Sequence, residues 1–265
     1  MPGPVDSPEA SPGPFVRWFV RYGEFVFRYR NLLFPAVMGL VFLVFRPVYP
    51  HGGAAADRWL DALGVLVGLA GEGVRAAVVG LAYIKRGGLN KRVHADTLVV
   101  EGVFAHSRNP LYVGNLLMLL GLLIVHNNPW VYLLGGAFFL LSYRAIVAAE
   151  ERFLGAKFGD AYRDYCRRVN RWLPDPRGFG GTLASMEFNW RRVVLKEYSS
   201  FTSWVVTVCL LLAWAALRNQ GPESAAPRLL AVTVLALATL AAGLLVRTLK
   251  KRGILRESPT RAVPG

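Results

Sequence analysis

The sequence predicts an all-α fold, a multi-pass transmembrane helix bundle of about six spans. Composition, the apolar runs and the placement of basic residues carry that expectation. The 265 residues are 54% hydrophobic and only 18% charged, with a mean hydropathy of +0.35. That is too oily for a soluble domain of this length. Six apolar runs alternate with polar segments, and the basic residues crowd into every second connection.

The elements follow in order. The opening MPGPVDSPEASPGP is Pro-rich and is expected to be a disordered tail. FVRWFVRYGEFVFRYRN, residues 15–31, mixes aromatic and aliphatic residues with Arg17, Arg21, Arg28 and Arg30. It reads as an interfacial helix or a cationic lead-in to a span. The first apolar run, LLFPAVMGLVFLVF, has about 14 residues, short for a span unless its flanks contribute. The second, roughly 59–84, contains GLAGEGVRAAVVG, with Glu72 and Arg75 three apart on one helix face. An ionisable pair at membrane depth faces the bundle interior. It reads as a structural pair, with a substrate contact by Arg75 as the alternative.

The third run lies in AHSRNPLYVGNLLMLLGLLIV, residues 105–125. Asn109 is a good N-cap and Pro110 suits the first helical position, so a helix is expected to start there. Its free N–H groups and dipole, beside Arg108, suit an anion. The fourth run, PWVYLLGGAFFLLSY, follows the short turn HNNP, so the third and fourth spans are expected to form an antiparallel hairpin. The fifth and sixth are FTSWVVTVCLLLAWAAL (201–217) and LLAVTVLALATLAAGLLV (229–246).

Between the fourth and fifth runs, residues 144–174 are amphipathic. Leu154, Phe158, Tyr162, Tyr165 and Val169 recur at spacings of three and four. Gly159 and Asp160 read as a C-cap followed by an N-cap, and Pro174 ends the segment. DPRGFGG reads as a flexible joint, and SMEFNWRRVVLKEYSS as an amphipathic helix lying on the membrane. The expected organisation is a tail and interfacial helix (1–30), a membrane core (31–175), a linker with amphipathic helix (176–198), two extra spans (199–252) and a terminal tail (253–265).

Net charge is +14, from 31 Lys+Arg against 17 Asp+Glu. A nucleic-acid partner is set aside, because the basic residues border apolar runs as juxtamembrane segments do. The bilayer is the expected partner, and nothing fixes an oligomeric state. Lys85, Arg86, Lys91 and Arg92 follow the second run. Arg152, Lys157, Arg163, Arg167, Arg168 and Arg171 follow the fourth, and Lys250, Lys251 and Arg252 the sixth. The positive-inside rule then places both termini in the cytoplasm. Cys166 and Cys209 lack metal-ligand spacing, and His51, His94, His106 and His126 form no ligand cluster, so no metal site is expected. His94 and His106 read as solvated loop residues. No P-loop, G-x-S-x-G or post-strand G-x-G-x-x-G motif is present. Two polar constellations remain, His94–Asn115 and Glu150–Arg171. The expected hairpin would bring both to one membrane face.

GVFAHSRNPLYVGN, with EERFLGAKFGDAYRDYCRRVNRWLP about 40 residues on, resembles the isoprenylcysteine carboxyl methyltransferase and phospholipid methyltransferase family of integral membrane enzymes. The first block supplies Arg108, Asn109, Pro110, Tyr112 and Gly114. The second supplies Glu150, Glu151, Leu154, Phe158, Gly159, Tyr162, Tyr165, Arg171 and Pro174. The likeness covers roughly residues 70–175 and leaves the last two spans without a function.

The resemblance implies an S-adenosyl-L-methionine pocket at the cytoplasmic face. It would be lined by His94, Arg108, Asn109, Pro110, Tyr112, Gly114, Glu150, Glu151, Tyr162 and Tyr165. Arg108, Tyr112 and Glu150 would be the catalytic residues, and Arg75 and Arg171 the contacts to a lipid-like or prenylated substrate. Elementary chemistry agrees. An arginine and a helix N-terminus suit the cofactor's carboxylate, a glutamate its ammonium or ribose, and aromatic faces its adenine or sulfonium. Glu150 and Glu151, being adjacent, point apart. Glu150 is assigned to the cofactor and Glu151 to a basic neighbour such as Arg171. A carboxylate acceptor needs no base whereas an amine does, which favours carboxyl O-methylation. The alternatives are phospholipid N-methylation, NADPH-dependent reduction of an isoprenoid or sterol-like lipid, and a non-catalytic membrane protein.

Overall fold

The computed structural model of the chain describes residues 13–48, 53–81, 95, 97–219 and 222–256. His94 and the basic residues from Lys85 to Arg92 lie outside the described residues. So do most of both tails.

The fold is an all-α bundle. Among the described residues, five helical segments are long and apolar enough to cross a membrane: Pro14–Val44, Gly53–Leu81, Val131–Arg168, Trp190–Arg218 and Glu223–Lys251. The helices are α1 (Pro14–Val44), α2 (Gly53–Leu81), α3 (Pro110–His126), α4 (Gly136–Arg168, entered through one π turn), α5 (Phe179–Ala184), α6 (Trp190–Asn219) and α7 (Pro222–Lys251). The third expected span, α3, has 17 residues. It is only about 26 Å long at 1.5 Å per residue, shorter than a bilayer core. The expected six spans thus become five long candidates and one short apolar helix.

In three helices, segments read separately in the sequence are continuous, the first as the expected lead-in. The cationic segment 15–31 and the first apolar run are one helix, α1, so the flank supplies the missing length. The segment 185–200 does not lie apart on the membrane. From Trp190 it is the first part of α6, and the expected boundary at 198/199 falls inside that helix. No Gly or Pro interrupts Trp190–Asn219, so nothing stops the helix there. In α4 the apolar span runs straight into the amphipathic segment, with a break at Gly159 (φ 52°, ψ −123°). That left-handed φ costs a glycine little, which is why the cap expected there falls on this residue.

The HNNP turn is tight, as expected. Asn127 ends α3 at φ 47°, and Asn128 Oδ1 accepts from the Trp130 N–H at 2.8 Å. Asn128 Nδ2 donates to the Arg46 carbonyl at 2.7 Å, and the Val48 N–H donates to the Asn127 carbonyl at 3.1 Å, tying the end of α1 to this turn. The hairpin partners nevertheless pack chiefly elsewhere, α3 along α2 and α4 along α1. α6 covers α2 and α3, and α7 leans chiefly on α6, with its Arg228 reaching Asp61 of α2 at 2.5 Å. That arrangement leaves space among α1, α3, α4 and α6.

The α2–α3 contact is a backbone-to-backbone approach. A Cβ on Gly71 would meet the Gly114 carbonyl oxygen at 2.6 Å and the Met118 nitrogen at 2.7 Å. Small residues allow such approach between membrane helices. Gly71→Ala is expected to cost about 1–3 kcal/mol, read as a lower thermal midpoint in detergent. Gly73→Ala is the control and should not destabilise, since a Cβ there meets nothing within 4 Å.

Candidate active site

The first polar block is held by the second. Asn109 precedes α3, yet its side chain makes no cap. Its Nδ2 donates instead to the Arg171 carbonyl at 3.0 Å. The Arg108 N–H donates to the Asn170 carbonyl at 2.9 Å, and Ser107 Oγ to the Trp172 carbonyl at 3.1 Å. The Asp175 N–H donates to the His106 carbonyl at 2.9 Å, and the Tyr165 hydroxyl to the Phe104 carbonyl at 2.8 Å. Residues 104–109 and 165–175, distant in the chain, are therefore stitched into one unit.

His106 corrects the expectation of a solvated loop residue. It is buried, its Nδ1 lies 2.7 Å from the Asp175 carbonyl and its Nε2 lies 2.9 Å from Thr182 Oγ1. A carbonyl only accepts, so Nδ1–H donates to it, and Nε2 shares a hydrogen bond with the Thr182 hydroxyl. The signal missed was the 70-odd-residue separation, which no local pattern reveals.

Within this unit the two glutamates face apart. Glu151 takes both Arg171 Nε (2.9 Å) and Arg171 Nη2 (2.7 Å), and also Arg108 Nη1 at 3.0 Å. Arg108 Nη1 also lies 2.7 Å from Cys166 Sγ. Burial opposes the Arg108 charge, but Glu151, then Cys166 and Tyr162, outweigh it and raise the guanidinium above its ordinary value. Its Nε is buried without a hydrogen-bond partner, so one donor is left for a ligand. Glu150 instead accepts the Tyr112 hydroxyl at 2.6 Å, and the Tyr112 ring lies against Tyr143.

These residues border one cavity of about 1280 Å³. Arg108, Asn109, Tyr112, Glu150, Glu151, Tyr162 and Tyr165 line its polar end. Its apolar length runs between Phe34, Met38 and Phe42 of α1 and Leu211 and Trp214 of α6. Not every expected site residue reaches it. Pro110 is buried at the start of α3. Gly114 does not line the cavity: a Cβ there would strike Arg75 Cγ and the Gly71 carbonyl, so its role is helix packing. Arg171 stands behind Glu151 with about half its side chain exposed, at 49%, and supports the wall. His94 lies outside the described residues.

A second polar node lies farther along the cavity. Arg75 lines it, and its Nη2 donates to Glu197 Oε2 at 2.5 Å and to Ser200 Oγ at 3.3 Å. Its Nε donates to the same Glu197 oxygen at 3.0 Å, and its Nη1 to Asn115 Oδ1. Glu72 sits 3.6 Å away, the pair expected from the sequence. Glu197, Ser200, Ser203 and Trp204 all belong to α6, which carried no expected function. Trp204 Nε1 donates to the Met118 carbonyl at 3.1 Å and staples α6 to α3. The readable signal was Ser200, Ser203 and Thr207 at helical spacing within an apolar run. Among the described residues, no group of three His, Cys, Asp or Glu could hold a metal ion.

The family described as phospholipid methyltransferase matches residues 81–161. The cobalt-zinc-cadmium resistance protein CzcN of Cupriavidus metallidurans is 37% identical over 79 residues, covering 30% of this chain and 36% of that protein. The protein-S-isoprenylcysteine O-methyltransferase of Mus musculus is 32% identical over 126 residues, covering 45% of this chain and 43% of that protein. An uncharacterized protein of Haemophilus influenzae is 38% identical over 63 residues, all of its length but 24% of this chain. The chain thus spans well under half the length of CzcN and of the mouse enzyme. No solved structure matches. Residues 81–161, which hold the first polar block together with Glu150 and Glu151, thus match the phospholipid methyltransferase family, and the mouse isoprenylcysteine enzyme is a relative over 45% of this chain.

Proposed function

We propose that the protein is an S-adenosyl-L-methionine-dependent membrane methyltransferase that esterifies the carboxylate of an isoprenoid or lipid-like acid. The observation that carries this reading is a single cavity joining the polar end built from both blocks to an apolar trough between α1 and α6. The residues present fit the cofactor. Arg108, with its unpartnered Nε beside the N-terminus of α3, suits its carboxylate. Glu150 suits its ammonium, because Glu151 is committed to Arg108 and Arg171. Tyr162 and Tyr165 offer aromatic faces to adenine or sulfonium. When bound, the cofactor supplies an electrophilic methyl group on sulfur. The protein's part is alignment and exclusion of water, and the trough walls and the stitched loops do both. Arg75, with Asn115 and Ser200, forms the acceptor side. By the positive-inside argument, both termini and the polar end face the cytoplasm.

The second reading, N-methylation of a phospholipid amine, has one observation in its favour. The Tyr112–Glu150 hydrogen bond of 2.6 Å is an acid–base pair able to take a proton from an amine.

Detergent-purified protein should bind S-adenosylmethionine in calorimetry, and not NADPH. Given methyl-labelled cofactor and extracted lipid, it should yield a labelled product whose label is released by mild alkali, as an ester's is. Alkali-stable label would establish the amine reading. NADPH binding without S-adenosylmethionine binding would establish the reductase, and binding of neither the non-enzyme.

A further inference from the structure

Three arginines line the cavity: Arg30, Arg75 and Arg108. Two are matched to carboxylates, Arg75 to Glu197 at 2.5 Å and Arg108 to Glu151 at 3.0 Å. Arg30 differs. Among the described residues no carboxylate pairs with it, and its guanidinium rests over the Phe27 ring at 4.2 Å from the centroid. It faces the polar end, within electrostatic reach of Glu150, Tyr112 and Tyr143.

Its place on α1 is informative. Residues 17–30 carry Arg17, Arg21, Glu24, Arg28 and Arg30, and residues 31–44 carry no charge at all. Arg30 therefore is the last charged residue before the helix's apolar run. Arg28, two positions earlier, is exposed, while Arg30 is half-buried. From Arg30 the cavity-facing side of α1 continues through Phe34, Met38 and Phe42 at four-residue steps. That stripe runs about 18 Å at 1.5 Å per residue. A cation without a carboxylate in ion-pair contact, at the head of an apolar trough, matches an amphiphile with an anionic head and a long apolar tail.

The charges balance on the same assignment. The cofactor carries a sulfonium and an ammonium against one carboxylate, a net positive charge that Glu150 answers. The guanidinium of Arg30 then answers one negative charge on the acceptor. We propose that Arg30 of α1 is the acceptor-recognition residue, which binds the carboxylate of an acid-headed lipid and selects acids over amines of equal chain length. This rests on the methyltransferase reading. In the transfer, a carboxylate oxygen forms the O–CH₃ bond as the S–CH₃ bond breaks. Sulfur keeps the electron pair and no proton moves, so Arg30 has only to hold charge and orientation.

The test uses the full chain in phosphatidylcholine nanodiscs, with palmitate and hexadecylamine as probes, measured by calorimetry beside S-adenosylmethionine. The wild type should prefer palmitate. Arg30→Gln should weaken palmitate at least about tenfold, the loss of one charge-assisted contact, with cofactor affinity unchanged within about twofold. Arg30→Lys, which keeps the charge, should retain most of the palmitate affinity, and Arg28→Gln all of it. Unchanged palmitate affinity in Arg30→Gln, an equal loss in Arg28→Gln, or preference for hexadecylamine in the wild type would each overturn the proposal. Wild-type protein that binds palmitate through Arg30 but not S-adenosylmethionine would instead sink the methyltransferase reading and leave the acid site standing. Retained helical circular dichroism and cofactor binding separate lost recognition from lost folding.

Discussion

Arg108→Ala should lower methyl transfer at least about 100-fold while the protein still inserts and unfolds as the wild type does. Two charge-assisted hydrogen bonds to a bound carboxylate, each worth about 1.5–3 kcal/mol, set that scale. The fold should survive because Glu151 keeps Arg171 as a bidentate partner at 2.9 and 2.7 Å. The backbone bond from the Arg108 N–H to Asn170 is also indifferent to the side chain. Calorimetry should show the loss as weakened S-adenosylmethionine binding, with Arg108→Lys intermediate because it keeps charge and loses the fork. Arg171→Ala is the internal comparison. Its half-exposed pair is worth about 0–1 kcal/mol, so activity should fall by less than about fivefold. If Arg108→Ala turns over normally, the site is not where these residues meet.

The largest loss of stability should come from α6. The Arg75 and Glu197 side chains are 6% and 3% exposed, and these residues, 122 apart in the chain, join α2 to α6. Glu197→Ala leaves a buried guanidinium short of its main partner, at a cost of about 3 kcal/mol. That is the lower end of the range for broken buried pairs, because Glu72 stays 3.6 Å away. The double replacement Arg75→Met with Glu197→Leu should recover most of that stability, as apolar substitutes for buried ion pairs commonly do. It should not recover activity, because Arg75 lines the cavity. Thermal unfolding followed by tryptophan fluorescence, set beside turnover, separates the two effects. A double variant that regains both would make Arg75 a purely structural residue.

Much of the candidate site was legible because its pieces are local. Arg108, Asn109 and Pro110 sit together at a helix start, and Glu150 and Glu151 point apart because adjacent helical residues lie about 100° apart on the wheel. The break at Gly159 was also legible, since a glycine followed by an aspartate pairs a C-cap residue type with an N-cap residue type. What composition hid was continuity. Charged residues in 185–200 suggested a separate surface helix, yet with no Gly or Pro from Trp190 to Asn219 the helix runs on into the span, while 15–31 takes the lead-in form of its reading and continues through Pro35 in α1. The buried state of His106 and Glu197 was invisible for a related reason. Their partners lie 69 and 122 residues away, and polarity alone points such residues at water.

By itself the sequence determined the class of the molecule: an apolar helical bundle, its charged segments bordering its apolar runs, with two polar blocks of recognisable chemistry. Those properties follow from periodicity, transfer cost and cap preference, all written within a few turns of chain. Tertiary packing decided which helices share a wall, and so which charges are matched. α3 lies on α2 and α4 on α1, so a cavity remains, with α6 supplying one side and Arg30 left, among the three arginines that line it, with no carboxylate ion pair among the described residues. Pairing energies across a bundle depend on distances of a few ångströms between residues far apart in the chain, and only the packed structure sets those distances.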